Sequence, residues 1–332
     1  MKKLFAVLVL LLVALNPAQA KVSINEKISQ MIMVGFRGDT IDVNSAIYDD
    51  IKSGRIGGVV LFDYDVKLKS NDRNIKNPEQ VLKLTKQIQA SAKTQLFIAI
   101  DQEGGRVNRL KEAYGFPKTI SAAKLGEIDD PKTTFAEGNK IAKTLKSVGI
   151  NINFAPVVDL NTNPNNPIIG KIDRAFSNDP EKVYQHSKSF IEGHTKENIL
   201  CVIKHFPGHG SSSTDSHEGF VDVSNTWASN ELLPYKQLIR NNHTQAIMTA
   251  HVFNKNLDYI YPATLSKKCI EITLRQYLKF PGIVISDDLQ MKAISANFGL
   301  EETIVLAINA GVDILLFANN LEYDPNIAKK VH

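Results

Sequence analysis

The sequence predicts an α/β fold, a single-domain (β/α)8 TIM barrel, on three observations. Eight short apolar runs recur along the chain, segments with helical period lie between them, and ionisable residues gather where the runs end. The runs are Met31–Phe36, Gly58–Phe62, Leu96–Ile100, Ile152–Val158, Cys201–Ile203, Ala246–Ala250, Ile283–Ile285 and Asp313–Phe317. Each is continuous rather than alternating, as parallel strands buried on both faces require. Between them, Pro78–Lys93 opens on a proline and spaces its leucines and isoleucines three to four apart. Pro131–Val148, Pro180–Lys196, Asn230–Arg240, Ser266–Leu278 and Leu300–Asn309 follow the same pattern. An open doubly wound sheet is the competing arrangement, but no Gly-x-Gly-x-x-Gly follows a strand. No Pro/Gly/Ser linker marks a second domain.

The first twenty residues have the form of a secretory signal: Lys2 and Lys3, an apolar core over Leu4–Leu15, and a small-x-small site at Ala18-Gln19-Ala20. The apolar core is shorter than the roughly 18–20 residues of a spanning helix, so cleavage before Lys21 and no membrane anchor afterwards are expected. The barrel then occupies residues 21–332, exported to the periplasm or secreted. Loss of the two lysines lowers the formal charge from +4 to +2, too balanced to argue for nucleic acid. Cys201 sits in an apolar run and Cys269 in a helical pattern, and both read as buried free thiols rather than a bridge or a nucleophile.

Asp101, Asp159, Lys204 with His205, His251, and Asp287 with Asp288 each end a different strand. Barrels of this class build their active sites from the loops at those ends. The densest cluster runs from Lys204 to His217 and holds Lys204, His205, His209, Asp215 and His217 on glycine, proline and serine. Gly208, Gly210 and Ser211–Ser213 predict a pliable loop able to bring Asp215 and His217 over a ligand. Asp215 can orient the His217 ring and leave one nitrogen for proton transfer. A metal site at His205, His209, Asp215 and His217 is the alternative, although their spacing matches no tight ligand signature.

Alternation off the seventh strand points one carboxylate of Asp287-Asp288 into the barrel mouth and the other away. The inward one, expected near Lys204 and arginines, stays ionised and can attack an electrophilic carbon. Asp101 can accept hydrogen bonds from adjacent hydroxyls, and Arg106 and Arg109 are fork donors. Such groups pointing into one pocket suit a sugar ring.

The segments Asp101-Gln-Glu-Gly-Gly-Arg106, Asp173-Arg-Ala-Phe-Ser177, Lys204-His-Phe-Pro-Gly-His-Gly210 with Asp215-Ser-His217, and Ser286-Asp-Asp-Leu-Gln-Met291 resemble the bacterial β-N-acetylglucosaminidases of glycoside hydrolase family 3. The resemblance runs from about Ile28 to Phe317 in the same order, and the lysine-to-histidine segment is its most specific part. It implies a retaining exo-β-N-acetylglucosaminidase acting on peptidoglycan fragments or chitooligosaccharides. Asp287 would be the nucleophile, His217 the acid/base and Asp215 its partner. Asp101, Arg109, Arg174, Lys204 and His205 match sugar-binding positions. A histidine moving the proton departs from the usual two-carboxylate pair. Some family members use phosphate as well as water, so the resemblance also admits a phosphorylase, or another β-glycosidase of the same family. No cofactor or metal is implied, and a monomer is expected. A barrel metallohydrolase and a non-catalytic wall-binding protein are the readings from other classes. The sequence stops at His332, so either the eighth helix is short, over Tyr323–Val331, or the sequence is incomplete.

Overall fold

The computed structural model describes residues 22–332, so the signal-like segment lies outside the described residues. Eight parallel strands form the barrel wall: β1 (Ile32–Gly35), β2 (Gly58–Leu61), β3 (Phe97–Ile100), β4 (Ile152–Asn153), β5 (Leu200–Phe206), β6 (Ala246–Thr249), β7 (Ile283–Ile285) and β8 (Leu315–Phe317). Each strand from β1 to β6 pairs with the next, as does β6 with β7, and β8 pairs with β1. The ring closes between β7 and β8. There Ile285 bridges Ile314, Ser286 N–H donates to the Ile314 carbonyl at 2.9 Å, and Ser286 Oγ accepts from Leu316 N–H at 2.9 Å.

Among the described residues, eight helices follow the eight strands in turn: α1 (Ala46–Ser53), α2 (Pro78–Ser91), α3 (Pro131–Ser147), α4 (Pro180–Thr195), α5 (Leu233–Arg240), α6 (Lys268–Tyr277), α7 (Leu300–Ala310) and α8 (Ile327–Val331), with shorter helices over Ile24–Gln30, Ala122–Ile128 and Lys292–Ser295. Three begin with the same local chemistry. Asn77, Asp130 and Asp179 accept backbone N–H groups of the first turn, and the following proline pre-sets the helical φ. None of these helices is long and apolar enough to cross a membrane.

The continuous apolar runs follow from two separate cores. Met33, Val60, Ala99, Ile152, Val202, Met248, Ile285 and Leu316 point into the barrel, while their neighbours Ile32, Val34, Val59, Leu61, Ile98 and Ile100 pack outward beneath the helices. Both faces of every strand are therefore dry. Cys201 and Cys269 are buried free thiols, as expected.

The structure corrects several boundaries. The fourth run is strand only over Ile152–Asn153, because Pro156 interrupts it, although Val157 still bridges Lys204. The fifth extends to Phe206 and so includes Lys204 and His205. The segment expected as an α-helix over Ser266–Leu278 is a π-helix over Lys268–Tyr277. Its apolar positions Ile270, Leu274 and Leu278 are four apart, a spacing that fits either winding. The segment from Asn230 begins as a tight 3-10 turn, Ser229–Leu232, before α5.

One buried ion pair ties the loops around the barrel mouth. Arg73 is fully buried, pairs with Asp65 at 2.9 Å, and donates to the carbonyls of Phe36 and Asn319 at 3.1 and 2.9 Å. The loops after β1, β2 and β8 thus share one guanidinium, whose planar fork serves several acceptors at once.

Candidate active site

The inward set of each strand continues into the mouth of the barrel. Ala99 is followed two residues later by Asp101 and then Glu103, Val202 by Lys204, and Ile285 by Asp287. A cavity of about 420 Å³ at this end is lined by the eight residues to which the family resemblance gives roles: Asp101, Arg109, Arg174, Lys204, His205, Asp215, His217 and Asp287. Val60, Phe154, Met248 and Leu316 also line it, from the barrel interior.

The charged side is a connected network. The buried Lys204 ammonium lies 2.6 Å from Asp101 Oδ1 and 2.7 Å from Glu103 Oε1. Arg174 holds the same Glu103 with two N–H donors, at 2.9 and 2.7 Å. Burial alone raises the pKa of Glu103, but Arg174 and Lys204 hold it far below the usual carboxylate range. Arg174 Nη2 is also 3.3 Å from His205 Nε2. A guanidinium only donates, so Nε2 is the bare nitrogen and Nδ1–H donates to Asp159 Oδ2 at 2.7 Å. Arg109 approaches Asp101 at 3.7 Å from the other side.

Asp287 and Asp288 have different surroundings. Asp288 Oδ1 accepts from Ala318 N–H at 2.9 Å and Gln290 N–H at 3.1 Å, joining the β7 end to the β8 end. Burial raises the Asp288 pKa to about 6. Asp287 faces the cavity and accepts from Asp288 N–H at 2.8 Å. Burial pushes its pKa up. The neighbouring imidazoles of His251, His205 and His217, with the Asp288 N–H, outweigh burial and hold it below the ordinary value. The sequence suggested Lys204 and arginines as the source of that field. Lys204 and Arg174 instead contact Asp101 and Glu103.

His217 Nδ1 lies 2.7 Å from Asp215 Oδ1, which also accepts the His217 backbone N–H at 2.8 Å. The carboxylate fixes Nδ1–H as a donor and leaves Nε2 as the other nitrogen. Burial depresses the His217 pKa, but Asp215 and the nearby Asp287 together raise it above the ordinary value.

The loop bearing this pair is less pliable at its base than its composition suggested. A Cβ on Gly210 would fall 1.7 Å from the Leu160 carbonyl, and Gly208 sits at φ +122°. Both glycines answer close approach or backbone conformation. Ser211 and Ser212 are buried, and Asn163 and Asn166 side chains donate to the Ser212 and His209 carbonyls at 2.8 and 2.7 Å. The His209 ring lies between Ser212 Oγ at 2.6 Å and Ser216 Oγ at 3.3 Å, and burial lowers its pKa to about 4. Its nitrogens are engaged by hydroxyls rather than turned toward His205 and His217. Among the described residues, no group of three or more His, Cys, Asp or Glu side chains is arranged to hold a metal ion.

Other residues fall elsewhere than expected, or were not anticipated. Arg106 is exposed, 3.5 Å from Asp173, and does not line the cavity. His251 does not reach into the mouth as a free group: Nε2–H donates to the Asp288 carbonyl at 2.9 Å, and Nδ1 lies 2.8 Å from the Thr264 hydroxyl. Glu103 was not singled out, although it stands two residues beyond Asp101 and so shares its side of the strand.

The model of the glycosyl hydrolase family 3 N terminal domain matches residues 23–331. The chain belongs to glycosyl hydrolase family 3. Within this family of glycoside hydrolases, it is 35% identical over 294 residues to a beta-hexosaminidase of Tolumonas auensis, covering 87% of this chain and 83% of that protein. It is 37% identical to beta-hexosaminidase A of Pseudoalteromonas piscicida over 79% of this chain, but spans only 45% of that longer protein. Among solved structures, the family 3 beta-N-acetylglucosaminidase of Paenibacillus sp. superposes with a TM-score of 0.84 at 32% identity, over 93% of this chain and 56% of that one. NagZ of Neisseria gonorrhoeae in complex with N-trifluoroacetyl-D-glucosamine superposes with a TM-score of 0.78 at 29% identity, over 91% of this chain and 84% of that one.

The network makes Glu103 a testable member of this family 3 site. Glu103→Gln leaves Lys204 and Arg174 buried with one carboxylate fewer. It is expected to cost about 3–5 kcal/mol of stability in denaturant titration and about 10²-fold in kcat/KM through displacement of Lys204 and Arg174 in the cavity wall. Stability within about 1 kcal/mol of the parent, roughly the value of an exposed pair, would contradict this role.

Proposed function

We propose that the protein is a retaining exo-β-N-acetylglucosaminidase that removes terminal N-acetylglucosamine from peptidoglycan fragments or chitooligosaccharides. One observation carries the proposal: Asp287, held ionised, and the Asp215–His217 pair line the same cavity. The Asp287 carboxylate attacks the anomeric carbon while the glycosidic C–O bond breaks, and His217 Nε2–H gives its proton to the departing oxygen. Water then attacks the glycosyl-enzyme, His217 Nε2 takes its proton, and Asp287 is released. Asp215 keeps the imidazole in the required tautomer through both steps.

Asp101, Lys204, His205, Arg174 and Arg109 are assigned to the sugar. The apolar residues from the barrel interior give the cavity a floor, which favours a terminal residue over the middle of a chain. The names of the similar proteins, beta-hexosaminidase and beta-N-acetylglucosaminidase, support the choice of N-acetylhexosamine. Since every assigned residue comes from one chain, we propose action as a monomer. The signal-like N-terminus supports export, to the periplasm or beyond, where wall fragments and chitooligosaccharides are met.

Incubation with a chromogenic β-N-acetylglucosaminide and a 2-fluoro trapping sugar should give turnover in the first case and a stable adduct on Asp287 in the second. A label on any other residue would sink the assignment. The proton role has its own test in kcat/KM, which reports the first step. For a poor leaving group it requires Asp287 ionised and His217 protonated. Activity is therefore expected to rise below about pH 4, hold to about pH 6.5 and fall only above it, given shifts downward for Asp287 and upward for His217. His217→Ala should lose about 10²–10⁴-fold on a poor leaving group and far less on dinitrophenolate. Equal losses on both would argue against proton donation.

A further inference from the structure

Glu231 is a buried carboxyl that the proposed reaction does not use. It lies on the 3-10 turn that opens α5, directly beneath the loop that follows β5. Gly208 packs on it so closely that a Cβ there would fall 2.5 Å from Glu231 Oε2. The next two residues are gripped by two carboxyl groups. His209 N–H donates to Asp159 Oδ1 at 2.8 Å, and Gly210 N–H donates to Glu231 Oε2 at 3.2 Å. Asp159 is the same group that orients His205. Beyond the clamp, the His209 ring reaches Ser212 and Ser216, and Ser216 stands between Asp215 and His217. The far end of the loop is fixed separately, where Val221 pairs with Val252.

We propose that Glu231 is a positioning residue for proton delivery: with Asp159 it clamps successive backbone amides of the His209–Gly210 segment and so sets where the loop presents Asp215 and His217. The carboxyl suits this task in its neutral form. Burial, with Asp159 adding to it, raises its pKa to about 8, so one oxygen accepts from Gly210 while no second full charge stands beside Asp159. Among the described residues, its other oxygen and the Tyr235 hydroxyl are buried without hydrogen-bond partners. A protonated Glu231 has a donor to offer in this region, which an ionised one lacks. A primary amide is also neutral and carries both an acceptor and a donor.

This inference rests on reading Asp215–His217 as the acid/base pair, and the test separates the two. With the full chain, kcat/KM is measured at pH 6 for parent, Glu231→Ala, Glu231→Gln and His217→Ala. The probes are N,N′-diacetylchitobiose, whose leaving group needs a proton, and a dinitrophenyl β-N-acetylglucosaminide, whose leaving group does not. Glu231→Ala is expected to lose about 10²-fold on the disaccharide while staying within about threefold on the aryl glycoside. Glu231→Gln is expected to restore the disaccharide rate to within about threefold of the parent, since the amide keeps the neutral clamp. Equal losses on both probes in Glu231→Ala, or a Glu231→Gln no better than Glu231→Ala, would overturn the positioning role. If His217→Ala itself fails to distinguish the probes, the acid/base reading falls and the positioning role with it. If His217→Ala distinguishes them and Glu231→Ala does not, only the Glu231 proposal falls.

Discussion

The Lys204 ammonium is buried at the barrel mouth between Asp101 and Glu103, and a charge in that position is stable only while both partners stay in place. Much of the site is ordered by that requirement. Glu103 is drawn to Lys204 and in turn holds both N–H donors of Arg174, which touches His205, and His205 leans on Asp159. Residues from the ends of β3, β4 and β5 are thereby fixed relative to one another. A sugar entering the cavity meets donors and acceptors already oriented, so little ordering remains to be done on binding.

In the proposed reaction the chemistry is divided between this frame and two groups, an electron pair on Asp287 and a proton on His217. Asp287 stands on a short rigid turn between β7 and the Asp288 brace, which ties two neighbouring strand ends through backbone amides. His217 stands on a longer loop, and its base needs a different support because no strand continues beneath it. The supports are the Asp159 carboxylate and the Glu231 carboxyl on consecutive amides, and the His209 ring set among serines. The division follows from geometry: an attacking carboxylate must be aimed at one carbon, whereas a proton donor must serve a leaving oxygen and then a water.

The barrel was legible because strands buried on both faces leave continuous apolar runs, and eight such runs separated by helical segments admit few folds. The site was legible for a related reason. Strand alternation carries the inward side of Ala99, Val202 and Ile285 forward onto Asp101, Lys204 and Asp287. The same step taken once more from Asp101 reaches Glu103, so this residue was within reach of the sequence. Other features were not. Nothing local shows that Arg174 holds a carboxylate from the segment after β3. Spacing by four cannot separate a π-helix from an α-helix at Ile270, Leu274 and Leu278. Glycines that permit close approach, at Gly208 and Gly210, look in sequence like glycines that permit movement. The partners that decide each case, Glu103, Glu231 and Leu160, lie far away along the chain or on another element.

The reaction proposed here has Asp287 form a bond to the anomeric carbon, which water later breaks by attack from the opposite face, the one the leaving group has left. Each displacement inverts the anomeric carbon, so two together retain it. Proton NMR of the reaction mixture within the first minutes, before the free sugar mutarotates, reads the outcome directly. The account predicts that the β-anomer of N-acetylglucosamine appears first and the α-anomer grows in later. The α-anomer appearing first would mean a single displacement by water and would contradict a covalent role for Asp287.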